Sequence, residues 1–250
     1  MLTHQTVERL RQMRLWGMAD AFLAQLEQPD AAALSFEDRL GLLVDQEVSY
    51  RDNRRLKRLL KDAKLRQQAC LEDIDLSVGR GLDRQLLRSL GTGLWVTNHQ
   101  NVLVTGPTGV GKTYVSCALA NAACRQGYSA RYYRVPRLLT DIAVSRGDGS
   151  YTRLLRLLSN VEVLVLDDWG LAPLAATDGR ELLEVIEDRW QAKSTVVTSQ
   201  VPVDQWHAVI GDPSVADAIL DRLVHHAHRI ELKGESMRRV KNRPAAQDEH

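Results

Sequence analysis

The feature that most constrains this 250-residue chain is the run Gly106-Pro107-Thr108-Gly109-Val110-Gly111-Lys112-Thr113. It follows the β-branched segment Asn101–Thr105 and opens a stretch with helical spacing, so it reads as a strand, a loop and a helix start. Glycines at these positions let backbone N–H groups turn inward around phosphates, and a helix N-terminus adds partial positive charge. In that setting Lys112 reaches the β and γ phosphates of ATP and the Thr113 hydroxyl coordinates Mg²⁺. A glycine-rich turn carrying an exposed lysine is the plainer alternative, and the flanking elements argue against it.

Such a loop belongs on a parallel sheet. Asn101–Thr105, Ala130–Arg134, Val163–Asp167 and Ser194–Thr198 are short apolar or β-branched runs separated by helical stretches, which predicts right-handed crossovers and a buried sheet. Residues 1 to about 70 read instead as helical. Leu15, Met18, Phe22 and Leu26 share one helix face, Gln28-Pro29-Asp30 breaks it, and Ser35 with Asp38 resembles an N-cap. Leu40, Val44 and Val48 continue an apolar stripe in one long helix from about 36 to 68. The expected organisation is a small all-helical domain over 1–72, a three-layer α/β sandwich over 73–240, and a flexible tail over 241–250.

Apolar and charged fractions of 44% and 26% are those of a globular protein, and no apolar run reaches the ~20 residues that span a bilayer. Cys70, Cys117 and Cys124 show no C-x-x-C spacing and read as reduced thiols, the last two as packing positions, which points to the cytoplasm.

Val163–Leu166 runs into Asp167-Asp168. An acid at the end of a buried strand beside a phosphate loop holds Mg²⁺ through water, and Asp167 takes that role. Asp168 is the candidate for polarising the attacking water; its alternative is to cap the turn into Trp169-Gly170. At the end of Ser194–Thr198, Ser199 is the favoured contact for the γ phosphate or lytic water, with Gln200 next to it. A polar turn before Pro202 would explain the same residues. Past residue 213 a helix carries Ala218-Ile-Leu-Asp-Arg222-Leu-Val, with Ile219, Leu223 and Ala227 inward and Arg222 toward a neighbour. His225 and His228 would share a helix turn, but no further ligands accompany them and a metal reading is set aside.

Residues 51–66 hold eight basic and two acidic side chains. Arg51, Arg54, Arg55, Lys57, Arg58, Lys61, Lys64 and Arg66 form a stripe suited to DNA phosphates, unless acids elsewhere balance it. Arg131, Arg134, Arg137, Arg146, Arg153 and Arg156, interleaved with Tyr132 and Tyr133, form a second candidate DNA surface. Neither looks like a base-reading module.

The chain resembles the IstB-like branch of the AAA+ superfamily, relatives of the helicase loader DnaC and the initiator DnaA. Arg54–Arg66, Gly106–Thr113, Tyr133–Leu139, Leu164–Gly170, Thr198–His207, Ala218–Val224 and Arg229–Arg238 carry the resemblance. It implies an AAA+ ATPase domain behind a helical DNA-binding domain, ATP held between subunits, and Arg222 as the arginine finger. It further implies homo-oligomers on duplex DNA, with little sequence preference, that help a partner transposase use its target. Related ATPases usually carry a glutamate at the position of Asp168, so a shorter acid stands here. Arg238 is the position considered for a second sensor. A DnaC-like helicase loader is the alternative; a small-molecule kinase and an ATP-switched DNA scaffold are the remaining ones.

Overall fold

The computed structural model describes residues 2–76 and 79–237, so Arg238 and the tail over 241–250 lie outside the described residues. Packing gathers the chain into two compact units, Met1–Arg58 and Leu59–His250. This division falls inside a helix, before the boundary expected at 72/73.

The first unit contains α1 (Leu2–Gln12), α2 (Trp16–Glu27), a 3-10 turn (Pro29–Ala33) and most of α3 (Phe36–Ala63). Ser35 caps α3 as expected: its Oγ accepts from the Asp38 N–H at 3.1 Å and donates to the Asp38 carboxylate at 2.8 Å. On α2 the fully buried residues are Gly17 and Ala19; of the four residues expected to share a face, Leu15, Met18 and Phe22 are partly buried and Leu26 is 50% exposed. A Cβ on Gly17 would stand 2.6 Å from Tyr50 Cβ and 2.7 Å from the Gln46 carbonyl, so glycine is what lets α2 lie against α3. The stripe of Leu40, Val44 and Val48 is exposed rather than packed. Glu47 is buried and accepts from Arg51 Nε at 2.7 Å and the Met18 N–H at 3.1 Å. Burial pushes its carboxyl upward, and the hydrogen bonds from Arg51 and Met18 outweigh this and hold it below the ordinary range. The helix ends at Ala63, short of 68, because Lys64 turns left-handed at φ 49°.

The second unit carries α4 (Arg84–Gly91), α5 (Leu94–Thr97), β1 (Asn101–Thr105), α6 (Lys112–Arg125), β2 (Ala130–Arg134) and α7 (Val135–Asp148). It continues through α8 (Tyr151–Asn160), β3 (Val163–Trp169), α9 (Ala176–Arg189), β4 (Ser194–Ser199), α10 (Trp206–Ile210), α11 (Pro213–Val224) and β5 (Ala227–Glu231). The strands form one parallel sheet in the order β2-β3-β4-β1-β5. Four were expected within a residue or two; β5 was not. It also corrects the reading of the histidines. α11 stops at Val224, so His228 and Ala227 belong to a strand, and His228 Nε2 is 3.0 Å from Gln100 Oε1.

Strands β1, β3 and β4 are buried almost end to end, as a sheet covered on both faces requires. Leu103, Leu164, Leu166 and Val197 pack into a core with α7 to α11. The alternating Val102, Val104, Val165 and Val196 point the other way, and α6 contacts β1 to β4. Trp169 and Trp206 meet within the first core at 5.4 Å between ring centroids. Arg189, 1% exposed, donates to the carbonyls of Leu158, Val161, Glu162 and Ser194 and to Thr195 Oγ1. It ties α8, the entry to β3 and the start of β4 together, although burial draws its guanidinium down to about 9.

Candidate nucleotide site

β1 delivers the chain to the phosphate loop at the carboxyl edge of the sheet. Gly106, Gly109 and Gly111 have φ of 143°, 87° and 106°, values that side chains with a Cβ rarely adopt. A Cβ on Gly106 would also lie 2.2 Å from the Leu232 carbonyl oxygen, and one on Gly109 2.2 Å from Ser236 Oγ. The segment after β5 thus lies directly on the loop. It is pinned there by Leu232 N–H to Thr105 O at 2.8 Å and Met237 N–H to Gly109 O at 3.0 Å. Buried Arg80 supports the loop from another side, donating to the carbonyls of Val110 at 3.3 Å and Asp75 at 2.6 Å.

Lys112 opens α6 and is almost fully buried. Its Nζ donates to the carbonyls of Gly106 and Pro107 at 2.7 and 2.8 Å. Burial lowers its pKa, and the charges of Asp167 and Asp168 act against that shift. Thr113 Oγ1 donates to Asp167 at 3.0 and 3.2 Å. A hydroxyl and a carboxylate brought this close at the start of α6 are hard oxygen donors of the kind that suits Mg²⁺. Mg²⁺ held by Thr113 and, through water, by Asp167 would neutralise β- and γ-phosphate charge.

Asp167 is held by more than the sequence suggests. Tyr132 Oη donates to its carboxylate at 2.5 Å, Thr198 Oγ1 also donates to it, and Arg66 Nη1 is 3.6 Å away. Tyr132 is therefore not a base-stacking aromatic: it is buried, and burial together with the bond to Asp167 raises its pKa well above the ordinary phenol value. Asp168 adopts φ 61° where the pairing of β3 with β4 breaks register between Leu166 and Trp169. Aspartate tolerates the left-handed region better than glutamate, which accounts for the shorter acid at this bulge. Its carboxylate accepts from Arg134 Nε at 2.6 Å and lies 3.9 Å from Arg66 Nη1.

These contacts revise the basic surfaces. Arg66 and Arg134 face the paired acids and line a cleft of about 440 Å³ with Lys112, Thr113 and Ile74, a volume within the range of ligand sites. Arg51 pairs with Glu47, Arg137 with Asp141 at 3.0 Å, and Arg146 with Glu181, while Arg131 donates to the Asp62 carbonyl. Arg54, Arg55, Lys57, Arg58, Lys61 and Lys64 remain exposed, as do Arg153 and Arg156.

β4 lies between β1 and β3, where a γ-phosphate sensor belongs. Ser199 is not its best placed residue. Its hydroxyl donates to the Trp169 carbonyl at 2.8 Å and accepts from the Val201 N–H at 3.0 Å. Gln200 lines the cleft and accepts from Thr108 Oγ1 at 2.8 Å. Arg222 sits beside the opposite end of β1, where Asn101 Nδ2 donates to the carbonyls of Arg222 and Leu223. Its guanidinium lies over Trp190 and meets Glu187 at 2.5 Å.

A phosphate loop, a strand-end acid on its threonine and an extra strand between them define a P-loop ATP-binding protein of the additional-strand class. The family described as IstB-like ATP binding protein matches residues 8–246, and the chain belongs to it. An insertion sequence ATP-binding protein of Sinorhizobium fredii is 50% identical over 97% of this chain and 99% of its own length. Another, from Pseudomonas fluorescens, is 52% identical over 81% and 88%. Among solved structures, DnaI superimposes with a TM-score of 0.57 at 23% identity, over 71% of this chain and 94% of DnaI. DnaA bound to AMPPCP and single-stranded DNA gives 0.57 at 17% identity, over 69% and 52%. These two likenesses concern the fold. No helix among the described residues is long and apolar enough to cross a membrane.

Proposed function

We propose that this chain is the ATP-dependent helper of an insertion-sequence transposase, assembling on duplex DNA and presenting it to that enzyme. The observation carrying the proposal is the contact of Thr113 with Asp167 at 3.0 Å beneath the glycine loop, in a chain of the IstB-like family. Residues 1–72 act as the helical DNA-binding domain through the exposed cations of 54–64, and residues 73–240 as the ATPase domain. Lys112 and Thr113 bind the phosphates and Mg²⁺ with Asp167, Gln200 or Ser199 senses the γ phosphate, and Asp168 orients water. Arg222 of one copy completes the site of the next; leaving Glu187 and Trp190 is the cost of doing so.

Sizing and negative-stain imaging with duplex DNA and a non-hydrolysable ATP analogue test this reading. DNA-bound oligomers are expected from the native chain and not from Lys112→Ala or Arg222→Ala. A chain that stays monomeric with both ligands present overturns it. Capture of a transposase rather than a replicative helicase separates the helper from a DnaC-like loader. Asp168→Asn should keep nucleotide affinity and lose turnover; undiminished hydrolysis removes Asp168 from its role.

A further inference from the structure

Arg66 is the one basic side chain of the 51–66 run brought to both paired acids. It lies three residues beyond the end of α3, in the cleft that also holds Lys112 and Thr113. Its neighbour there, Arg134, is bound tightly, with Nε 2.6 Å from Asp168 Oδ2. Arg66 pairs with the acids at longer range, Nη1 3.6 Å from Asp167 and 3.9 Å from Asp168, beside the Tyr132 hydroxyl, and its side chain is 45% exposed. Asp167 does not depend on it, since Thr113, Tyr132 and Thr198 already donate hydroxyl hydrogens to that carboxylate. Arg66 is therefore a half-exposed positive charge, not needed to hold Asp167, in the cleft where the terminal phosphate of ATP belongs.

We propose that Arg66 is a triphosphate-reading residue, whose guanidinium leaves Asp167 for the γ phosphate when Mg·ATP is seated. The inference rests on the nucleotide-site reading above and adds a residue from the segment before the sheet. Two physical points carry it. A guanidinium cannot stay at 3.6 Å from Asp167 at no cost once a divalent charge shares that carboxylate. The planar fork of an arginine matches phosphate oxygens, and only a triphosphate places such oxygens past the β position. ADP gives Arg66 no new partner, so its contribution should separate the two nucleotides.

Calorimetric titration of the full chain tests this with a non-hydrolysable ATP analogue and ADP, each with Mg²⁺. Arg66→Ala should weaken the analogue by about tenfold or more, as loss of a charged hydrogen bond does. Its ADP affinity should stay within about threefold. Arg66→Lys should recover part of the loss, since it keeps the charge and not the fork. Titration without Mg²⁺ should shrink the difference between native and Arg66→Ala, because Arg66 then keeps its place on Asp167. Equal losses for both nucleotides, or no loss for the analogue, overturn the proposal. Failure of the underlying site would look different: the native chain would bind neither nucleotide, or Lys112→Ala would bind both as well as the native chain does.

Discussion

The two units of this molecule solve the problem of stability in opposite ways. From Leu59 on, three neighbouring strands are buried almost throughout and two faces of the sheet are covered. Before that point a few helices enclose little: α1 and α2 contribute Val7, Gly17 and Ala19 to a buried interior, while Phe36, Leu40, Val44 and Val48 of α3 are exposed. The sheet unit therefore places its chemistry by packing. The helical unit places its charges on a surface that packing barely constrains, so substitutions of the exposed charges should reprogram it without unfolding it, whereas substitutions in the packed interior of either unit should cost stability.

The largest expected effect is at Arg189. Arg189→Met would remove the guanidinium's hydrogen bonds to four carbonyls in a dry core, that of Glu162 keeping the Ser194 N–H, costing on the order of 4 kcal/mol. Chemical denaturation should show the loss in the sheet unit, and a value below about 1 kcal/mol would mean water replaces the guanidinium.

Gly17→Ala is the corresponding blow to the helical unit, about 2 kcal/mol by overpacking against Tyr50 and Gln46. Hydrogen exchange should place the damage in residues 2–58 and leave nucleotide affinity intact. If ATP binding falls with it, the two units are less separable than their packing suggests.

A smaller effect follows acidity. The folded-state pKa of Glu47 is depressed, so its contribution is present above the ordinary value of 4.5 and is lost as pH falls through the folded value. Glu47→Gln should abolish that acid-side dependence of amide protection in α2 and α3; an unchanged profile would assign it to another carboxyl. The least effect on folding is expected from Arg54, Lys57, Arg58 and Lys61 changed together to Gln, within about 0.5 kcal/mol per exposed site. Duplex affinity should nonetheless drop for every sequence alike, and the salt slope should shrink by about 0.9 for each phosphate no longer neutralised. A drop confined to one sequence would point to base readout instead.

The same contrast governs what could be read from the sequence. β1, β3 and β4 were legible because a strand buried on both faces must be a continuous apolar run. β5 was not, since an edge strand of Ala-His-Arg-Ile-Glu buries Ile230 and little else, and the helical spacing before it was read on through Ala227 and His228. The phosphate loop and Asp167 carry fixed spacings and stand where those spacings put them. Arg66, Arg134 and Tyr132 look like surface residues for DNA, because a charge or an aromatic ring in a linear sequence does not reveal a carboxylate dozens of positions away. Strict alternation along β2, which buries Ala130 and Tyr132, was the available signal for Tyr132. On α3 helical periodicity found a face correctly but says nothing about what covers it.

The segment lying on the phosphate loop has a consequence for how the protein is made. Gly106 rests against Leu232, and Gly109 against Ser236, partners that leave the ribosome more than a hundred residues later. The nascent chain can form its first four strands before either partner exists, but the loop cannot be clamped until β5 and the residues behind it have been made. Competence to hold a nucleotide thus waits for the segment after β5, and a chain interrupted before β5 would carry the whole motif without the segment that holds it in shape.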